Sequence, residues 1–100
     1  MTKKGYIYIL GNQRPTLYIG VTSNLQKRIW EHKHNLIKGF SSRYNLHKLL
    51  YFEAHSDIQQ AINREKQLKR WHREWKLNLV KSQNPTFKDL CSDICQLMYP

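Results

Sequence analysis

The sequence predicts an α+β fold in which a small three-stranded antiparallel sheet is flanked by helices. Short runs of aromatic and aliphatic residues occur near the N-terminus and again near residue 50, where they are typical of strands. Longer segments between and after these runs carry apolar residues at helical spacing. The predicted order is strand, strand, helix, strand, helix, helix, with one more helix near the C-terminus. A chain of 100 residues suffices for one core, so we expect a single domain over residues 1–90, with residues 91–100 as its helical tail.

The first two strands are predicted to form an antiparallel hairpin. Residues 5–10 alternate aromatic with aliphatic side chains, and residues 16–20 form a second strand-like run. Residues 11–15 between them contain glycine, asparagine and proline, which favour a turn. A third apolar run at residues 49–52 is predicted to be a buried strand.

Two capping boxes mark the expected starts of helices. Ser23 with Gln26 precedes a helix that runs to about residue 35, and Ser56 precedes a helix over residues 57–70. Helical spacing continues to about residue 81, and we expect a break near Trp71 because an unbroken helix would be long for a small domain. Thr86 is expected to cap the last helix.

A single carboxylate interrupts the apolar face of the second predicted helix. Ile58, Ala61, Ile62 and Leu68 recur at helical spacing, and Glu65 falls in the same row. A carboxylate that faces a core is costly unless it is paired, bound to a metal ion or open to a cleft. The residues alone leave open whether Glu65 binds a metal ion or is an edge residue bonded to an arginine.

The charge of the chain indicates a polyanionic partner. Lys and Arg number 17 against 7 Asp and Glu, which gives a formal net charge of +10 with histidine neutral. Most of the excess lies before residue 88, and such an asymmetry is typical of proteins that bind nucleic acid or an anionic membrane surface. The motifs discussed below favour nucleic acid, so we expect no membrane partner.

The sequence favours a cytoplasmic location. No apolar stretch approaches the length of a signal core or of a membrane-spanning helix. Cys91 and Cys95 match no common zinc spacing, and we expect both to be reduced and structural.

The hairpin and the helices that follow it resemble the motifs of the GIY-YIG nuclease superfamily. Tyr6-Ile7-Tyr8 corresponds to the first motif but departs from it at its first position, whereas Tyr18-Ile19-Gly20 matches the second motif fully. Residues 24–28, with His32 one turn later, and residues 64–71 resemble the superfamily's first helix and its metal-binding helix. The resemblance covers most of the chain, and it is to the short stand-alone bacterial proteins of the superfamily.

This resemblance implies a divalent-metal-dependent endonuclease that hydrolyses DNA. It implies one cut strand per active site, with targets chosen by structure rather than by sequence. A single Mg²⁺ (or Mn²⁺) ion per site is implied, with Glu65 as its protein ligand. We expect Arg28, His32 and Glu65 to open onto one concave surface beside Tyr8 and Tyr18.

The resemblance also implies a role for each candidate catalytic residue. Tyr8 is the expected general base, which requires neighbouring cations or the metal to lower its pKa from about 10. Tyr18 is expected to position the attacking water, although the division between the two tyrosines stays open. Arg28 is expected to grip a phosphate oxygen, and His32 to relay a proton or contact the phosphate.

Asparagine completes the set of implied site residues. Asn84 is the natural candidate, and Asn78 is the alternative. Asn84 also precedes Pro85, where a role in a turn explains it equally well.

Basic residues on the predicted helices are expected to contact the nucleic-acid backbone. They are Lys27, Arg28, Arg64, Lys66, Lys69, Arg70 and Arg73. Trp71 either stacks on a base or packs in the core, and we favour core packing for both Trp71 and Trp75.

Two other functions are compatible with these features. One is a non-catalytic nucleic-acid-binding domain that retains the fold, and the other is an RNA-directed nuclease. DNA is favoured over RNA, and a protein partner is one possible source of target specificity.

Overall fold

The computed structural model describes residues 3–12, 16–34, 46 and 48–91. Within these residues the chain forms strands β1 (Gly5–Gly11), β2 (Leu17–Thr22) and β3 (Lys48–His55), and helices α1 (Leu25–Lys33), α2 (Ile58–Lys69) and α3 (Arg73–Gln83). The α+β fold and the element order β-β-α-β-α-α are as predicted. β3 is twice as long as the predicted run because it continues through the more polar residues 53–55.

β1 lies at the centre of the sheet, with β2 and β3 antiparallel on either side. Tyr8 in β1 is paired with Gly20 in β2 and with Phe52 in β3. The predicted hairpin is therefore confirmed. β2 and β3 are therefore the edge strands of the sheet.

Side-chain alternation along β1 places an apolar cluster on each face of the sheet. On one face, Ile7 and Ile9 pack with buried residues of the second and third helices, which are Ala61, Leu68 and Val80. On the other face, Tyr8 and Leu10 pack with Leu25 and Ile29 of α1. The sheet thus separates α1 from α2 and α3.

Helices α1 and α2 begin one residue later than the capping boxes predict. The side chain of Asn24 accepts a hydrogen bond from the Lys27 N–H at 3.2 Å, and that of Asp57 accepts one from the Gln59 N–H at 2.8 Å. Asparagine and aspartate cap helices as well as serine does. The choice between neighbouring cap candidates is therefore made by tertiary packing.

The break between α2 and α3 lies where it is predicted. α2 ends at Lys69 and α3 begins at Arg73, with Trp71 between them. The Trp71 N–H donates to the Leu68 carbonyl, which closes the last turn of α2.

The segment after α3 differs from the prediction. Residues 84–90 form turns and irregular backbone, so Thr86 does not begin a helix there. The Leu90 N–H instead donates to the Leu49 carbonyl at 2.8 Å, which ties the segment to β3. Cys91 is disulfide-bonded, so its predicted reduced state is wrong. The remainder of the predicted tail, with Cys95, lies outside the described residues.

Within the described ranges, no helix combines the length and the apolar character that crossing a membrane would require.

Candidate active site

Three rings from three consecutive elements meet on the α1 face of the sheet. They belong to Tyr8 of β1, Tyr18 of β2 and His32 of α1, and their centroids are 5.5 to 6.2 Å apart. The Tyr8 hydroxyl lies 3.0 Å from His32 Nε2. Tyr8 and His32 are buried, whereas Tyr18 is partly exposed at the sheet edge. The structure therefore brings these three candidate residues together.

Gly20 makes this arrangement of rings possible. It lies opposite Tyr8 across the hairpin, and a Cβ atom at this position would lie 2.2 Å from Tyr8 Cζ and 2.3 Å from the hydroxyl oxygen. The missing side chain leaves the space in which the Tyr8 ring lies. Gly20 of the second motif thus leaves room for the ring of Tyr8 in the first motif.

Burial raises the pKa of Tyr8 to about 12, although hydrogen bonding to Arg28 acts in the opposite direction. In the free protein the neighbouring Arg28 therefore lowers this pKa by less than burial raises it. Tyr8 keeps its proton at neutral pH. Arg28 donates to the phenolic oxygen, and the same hydroxyl forms a hydrogen bond with His32 Nε2 whose direction depends on the tautomer of the imidazole.

Arg28 lies between this buried cluster and an open polar cavity. Hydrogen bonding to Tyr8 raises the pKa of its guanidinium. Its Nε–H is buried and has no hydrogen-bond partner among the described residues, and its NH1 is 3.8 Å from Glu31 Oε1. The side chain, which is 38% exposed, lines a cavity of about 390 Å³ together with Lys27, Glu31 and residues 22–24, which precede α1. Arg28 therefore has donor capacity that the protein leaves unused.

Glu65 lies on α2, on the opposite face of the sheet from Arg28 and His32. It occupies the row between the buried Ala61 and Leu68, and its side chain is 17% exposed. Its carboxylate pairs with Lys69 at 3.3 Å. The helix that carries Glu65 packs on the other face of the sheet from α1, and the expectation that Glu65 shares one concave surface with Arg28 and His32 stays a prediction.

The edge of β2 lies between the cluster of Tyr8, Tyr18 and His32 and the Glu65–Lys69 ion pair. A cavity of about 250 Å³ there is lined by Tyr18 with its strand neighbours and by Lys69 and Lys76. Lys69 thus belongs both to the Glu65 ion pair and to the cavity beside Tyr18. Lys76 of α3 is an additional cation at this edge, which the sequence shows only as one of several basic residues near α2.

The carboxylate of Glu65 offers the oxygen ligands that Mg²⁺ and Mn²⁺ prefer. No group of three or more His, Cys, Asp or Glu side chains within the described ranges is arranged to hold a metal ion. Mg²⁺ is commonly held by one or two carboxylates, with water and substrate phosphate completing its shell. Glu65, with an exposed lysine as its partner, fits a cation of that kind.

Asn84 has a structural role and does not join the site. The residue is 1% exposed, and its amide donates to the carbonyls of Leu50 and Lys88 at 3.0 and 2.7 Å. Its side-chain oxygen accepts from the Lys88 N–H. Its prediction as a site residue is therefore corrected, since backbone groups take up its polar atoms. Asn78 is exposed on α3.

Arg64 is the predicted nucleic-acid-binding residue whose guanidinium is already engaged. It donates to both carboxylate oxygens of Glu53 at 3.0 to 3.3 Å and to Gln67 at 2.7 Å. The remaining predicted cations are exposed or partly exposed. Lys27 and Arg28 line one cavity, Lys66 and Arg70 line another, and Arg73 is exposed at the start of α3.

β3 carries a polar cluster that was not predicted from the sequence. Tyr51, Glu53 and His55 lie on one face of the strand, and the side chains of Tyr51 and His55 both bond to the Glu53 carboxylate. Burial would raise the pKa of Glu53, but hydrogen bonds from Arg64, Tyr51 and His55 outweigh it and hold the pKa below its usual value. Tyr51, Glu53 and His55 occupy every second position in the sequence. This period of two, which is typical of a strand, is the signal that would have extended the predicted third strand to His55.

Comparisons with known proteins agree with this fold. A family model described as the GIY-YIG catalytic domain matches residues 4–78. The chain is similar to a UPF0213 protein of Syntrophus aciditrophicus (39% identical, covering 82% of this chain and 94% of the relative). It is also similar to a UPF0213 protein of Clostridium perfringens (35% identical, covering 79% and 85%). The solution NMR structure of a UPF0213 protein from Bacillus halodurans aligns with a TM-score of 0.56 at 22% identity, over 86% of this chain and 92% of that chain, and shares the fold.

Proposed function

Because the chain belongs to the family of GIY-YIG catalytic domains, we propose that it is a divalent-metal-dependent endonuclease that hydrolyses DNA. Family membership implies a nuclease that acts on nucleic acid, and GIY-YIG nucleases are generally metal dependent. The proposal adds DNA as the substrate, one cut strand per active site and a choice of target by structure. It also adds roles for the residues described above.

The observation that carries the proposal is the buried Nε–H of Arg28 next to the Tyr8–His32 hydrogen bond. A buried donor without a partner costs about 1–3 kcal/mol. The exposed part of the same guanidinium lines the cavity, and a small movement of the side chain towards a phosphate bound there would also satisfy the Nε–H. The guanidinium then lies where it offsets the negative charge that grows on the phosphoryl group during hydrolysis.

The tyrosines and His32 supply a path for the proton of the attacking water. Tyr18 is the more exposed of the two tyrosines, and its ring centroid lies 6.2 Å from that of Tyr8. As the water oxygen bonds to phosphorus, its proton passes to Tyr18, the Tyr18 proton to Tyr8, and the Tyr8 proton to His32 Nε2. The bond from phosphorus to the 3′ oxygen breaks, and that oxygen takes a proton from solvent. Tyr8 therefore acts as a relay, because it is buried and its pKa is raised.

Glu65 would hold the divalent cation, which when bound acts as a Lewis acid towards the phosphoryl oxygens. A cation on Glu65 would take the place of Lys69 at the carboxylate, and Lys69 and Lys76 line the cavity beside Tyr18 at the edge of β2. In this position Lys69 and Lys76 would neutralise the negative charge of neighbouring phosphates.

Nicking of supercoiled plasmid and cleavage of branched DNA, each with and without Mg²⁺ or Mn²⁺, test this function. We expect metal-dependent nicking that falls by about a hundredfold or more in Glu65→Gln, because the metal ligand is lost. Glu74→Gln removes an exposed carboxylate of α3 and is the matched control.

Equal nicking by the parent and Glu65→Gln would contradict the assignment. Binding without any cleavage would favour the non-catalytic domain. Cleavage of RNA but not of DNA would favour the RNA-directed nuclease.

A further inference from the structure

An exposed indole lies in a basic cavity on the side of α2 that faces away from the sheet. Trp75 is 53% exposed, and among the described residues it is the large apolar side chain that the fold leaves most open. The cavity, of about 530 Å³, is lined by Asn63, Lys66, Gln67, Arg70, Trp71 and Trp75. None of these residues belongs to the candidate active site.

The Trp75 ring is held in a fixed orientation. The ring of Trp71 meets it edge to face at 6.0 Å and 84°, and the ring of His72 does so at 5.1 Å and 88°. Trp71 is in turn covered by the Arg64 guanidinium, 5.2 Å from its ring centroid. Because Glu53 holds Arg64 with three hydrogen bonds, the aromatic pair rests on a bonded framework. Because neighbouring side chains already hold the Trp75 ring, a ligand that stacks on it pays little conformational entropy to immobilise the ring.

The rim of the cavity selects the chemistry of its ligand. Lys66 and Arg70 are cationic, Asn63 and Gln67 carry amides, and none of the described residues that line the cavity is acidic. An aromatic face beside cations matches a nucleobase with its adjoining phosphates, since any base can stack on an indole. A base within a duplex is already stacked on both faces and cannot occupy this place. The occupant that fits is an unpaired nucleotide.

We propose that Trp75, Lys66 and Arg70 bind an unpaired nucleotide of a single-stranded DNA segment. This inference names the substrate class of the endonuclease, and it rests on that proposed function. Lys66 directly follows Glu65 along α2, but successive helix residues project to different sides, so the nucleotide cavity lies on another side of α2 from the candidate metal ligand.

The test measures binding without cleavage, in EDTA, by fluorescence anisotropy of labelled oligonucleotides of about ten nucleotides. Three ligands are compared: single-stranded oligothymidylate, a duplex of equal length, and an abasic strand with the same phosphates. We expect Trp75→Ala to weaken binding of oligothymidylate by about tenfold and to leave duplex and abasic binding within about twofold. Trp75→Phe should retain most of the affinity because a ring remains.

Lys81→Ala removes an exposed charge elsewhere on α3 and is the control for Lys66→Ala and Arg70→Ala. Circular dichroism establishes that each variant is folded. Unchanged oligothymidylate binding in folded Trp75→Ala, or equal binding of abasic and base-containing strands by the parent, would overturn the inference. Because no metal is present, this outcome is independent of whether the protein cleaves DNA.

Discussion

The ring of Tyr8 lies over Gly20 of the neighbouring strand, and this contact decides how its hydroxyl reaches His32. The residue-scale chemistry of the site depends on two buried groups and one half-exposed guanidinium. Tyr8 and His32 satisfy each other, whereas Arg28 keeps a buried donor without a partner. A site that leaves a cationic donor unsatisfied is prepared for an anion.

Gly20→Ala should destabilise the protein by about 1–3 kcal/mol, because the new methyl group would overlap the Tyr8 ring. Urea unfolding measures this change. In a Tyr8→Ala background the same substitution should cost much less, since the ring is absent. An equal cost in both backgrounds would show that the contact with Tyr8 is not the reason for a glycine.

At the scale of elements, two polar residues fasten the segment after α3 to the rest of the domain. Asn84 bonds that segment to β3, and Asp89 accepts from the N–H groups of Leu49 and Cys91 and from Lys33. Burial would raise the pKa of Asp89, but these hydrogen bonds outweigh it and lower the pKa. The start of β3, the end of α1 and residues 84–91 are thereby linked.

Asn84→Ala should lower the free energy of unfolding by about 2–3 kcal/mol, because two backbone carbonyls and one backbone N–H lose their hydrogen-bond partner. The cleavage rate per folded molecule should stay close to that of the parent. Asn78→Ala, at an exposed position of α3, is the control and should be nearly neutral. A large loss of rate in folded Asn84→Ala would return Asn84 to the catalytic residues.

The cluster around Glu53 predicts a specific sensitivity to acid. The folded-state pKa of Glu53 lies below its usual value. Its carboxylate therefore stabilises the fold at any pH above the usual pKa of a glutamate. This contribution is lost as the pH falls through the folded-state pKa. Between pH about 5 and about 3 the melting temperature of the parent should fall more steeply than that of Glu53→Gln.

Thermal unfolding across this range checks the prediction, with Glu74→Gln as a control that should follow the parent. Glu53→Gln should also be less stable at neutral pH, by about 1–3 kcal/mol, because Arg64 loses a charged partner. Parallel pH profiles for the parent and Glu53→Gln would contradict the role given to this carboxylate.

For the whole molecule, the sequence predicts what depends on local pattern. Alternation and turn residues predict the hairpin that places Tyr8 beside Gly20. Helical spacing predicts the position of Glu65 between buried residues, and the excessive length of the helical pattern predicts the break near Trp71. These features follow from the periods of strands and helices, which are properties of neighbouring residues.

Pairings between distant elements were beyond reach of the sequence. Arg64 has the appearance of a phosphate-binding residue until Glu53, eleven residues away on β3, is found to hold it. Asn84 before a proline fits a site or a turn equally well, and only the fold places backbone groups around it. The division of the candidate residues between two faces likewise depends on how helices cross the sheet.

The central claim is that Arg28, with the tyrosines and His32, forms the catalytic centre. Single-turnover cleavage of a branched DNA at saturating protein, together with the binding affinity, tests it most directly in the parent, Arg28→Lys and the control Lys81→Arg. Lysine retains the charge but lacks the planar set of donors. We predict that Arg28→Lys loses about a hundredfold or more in rate with only a small loss of affinity. A rate within about threefold of the parent, in a folded variant, would contradict the account.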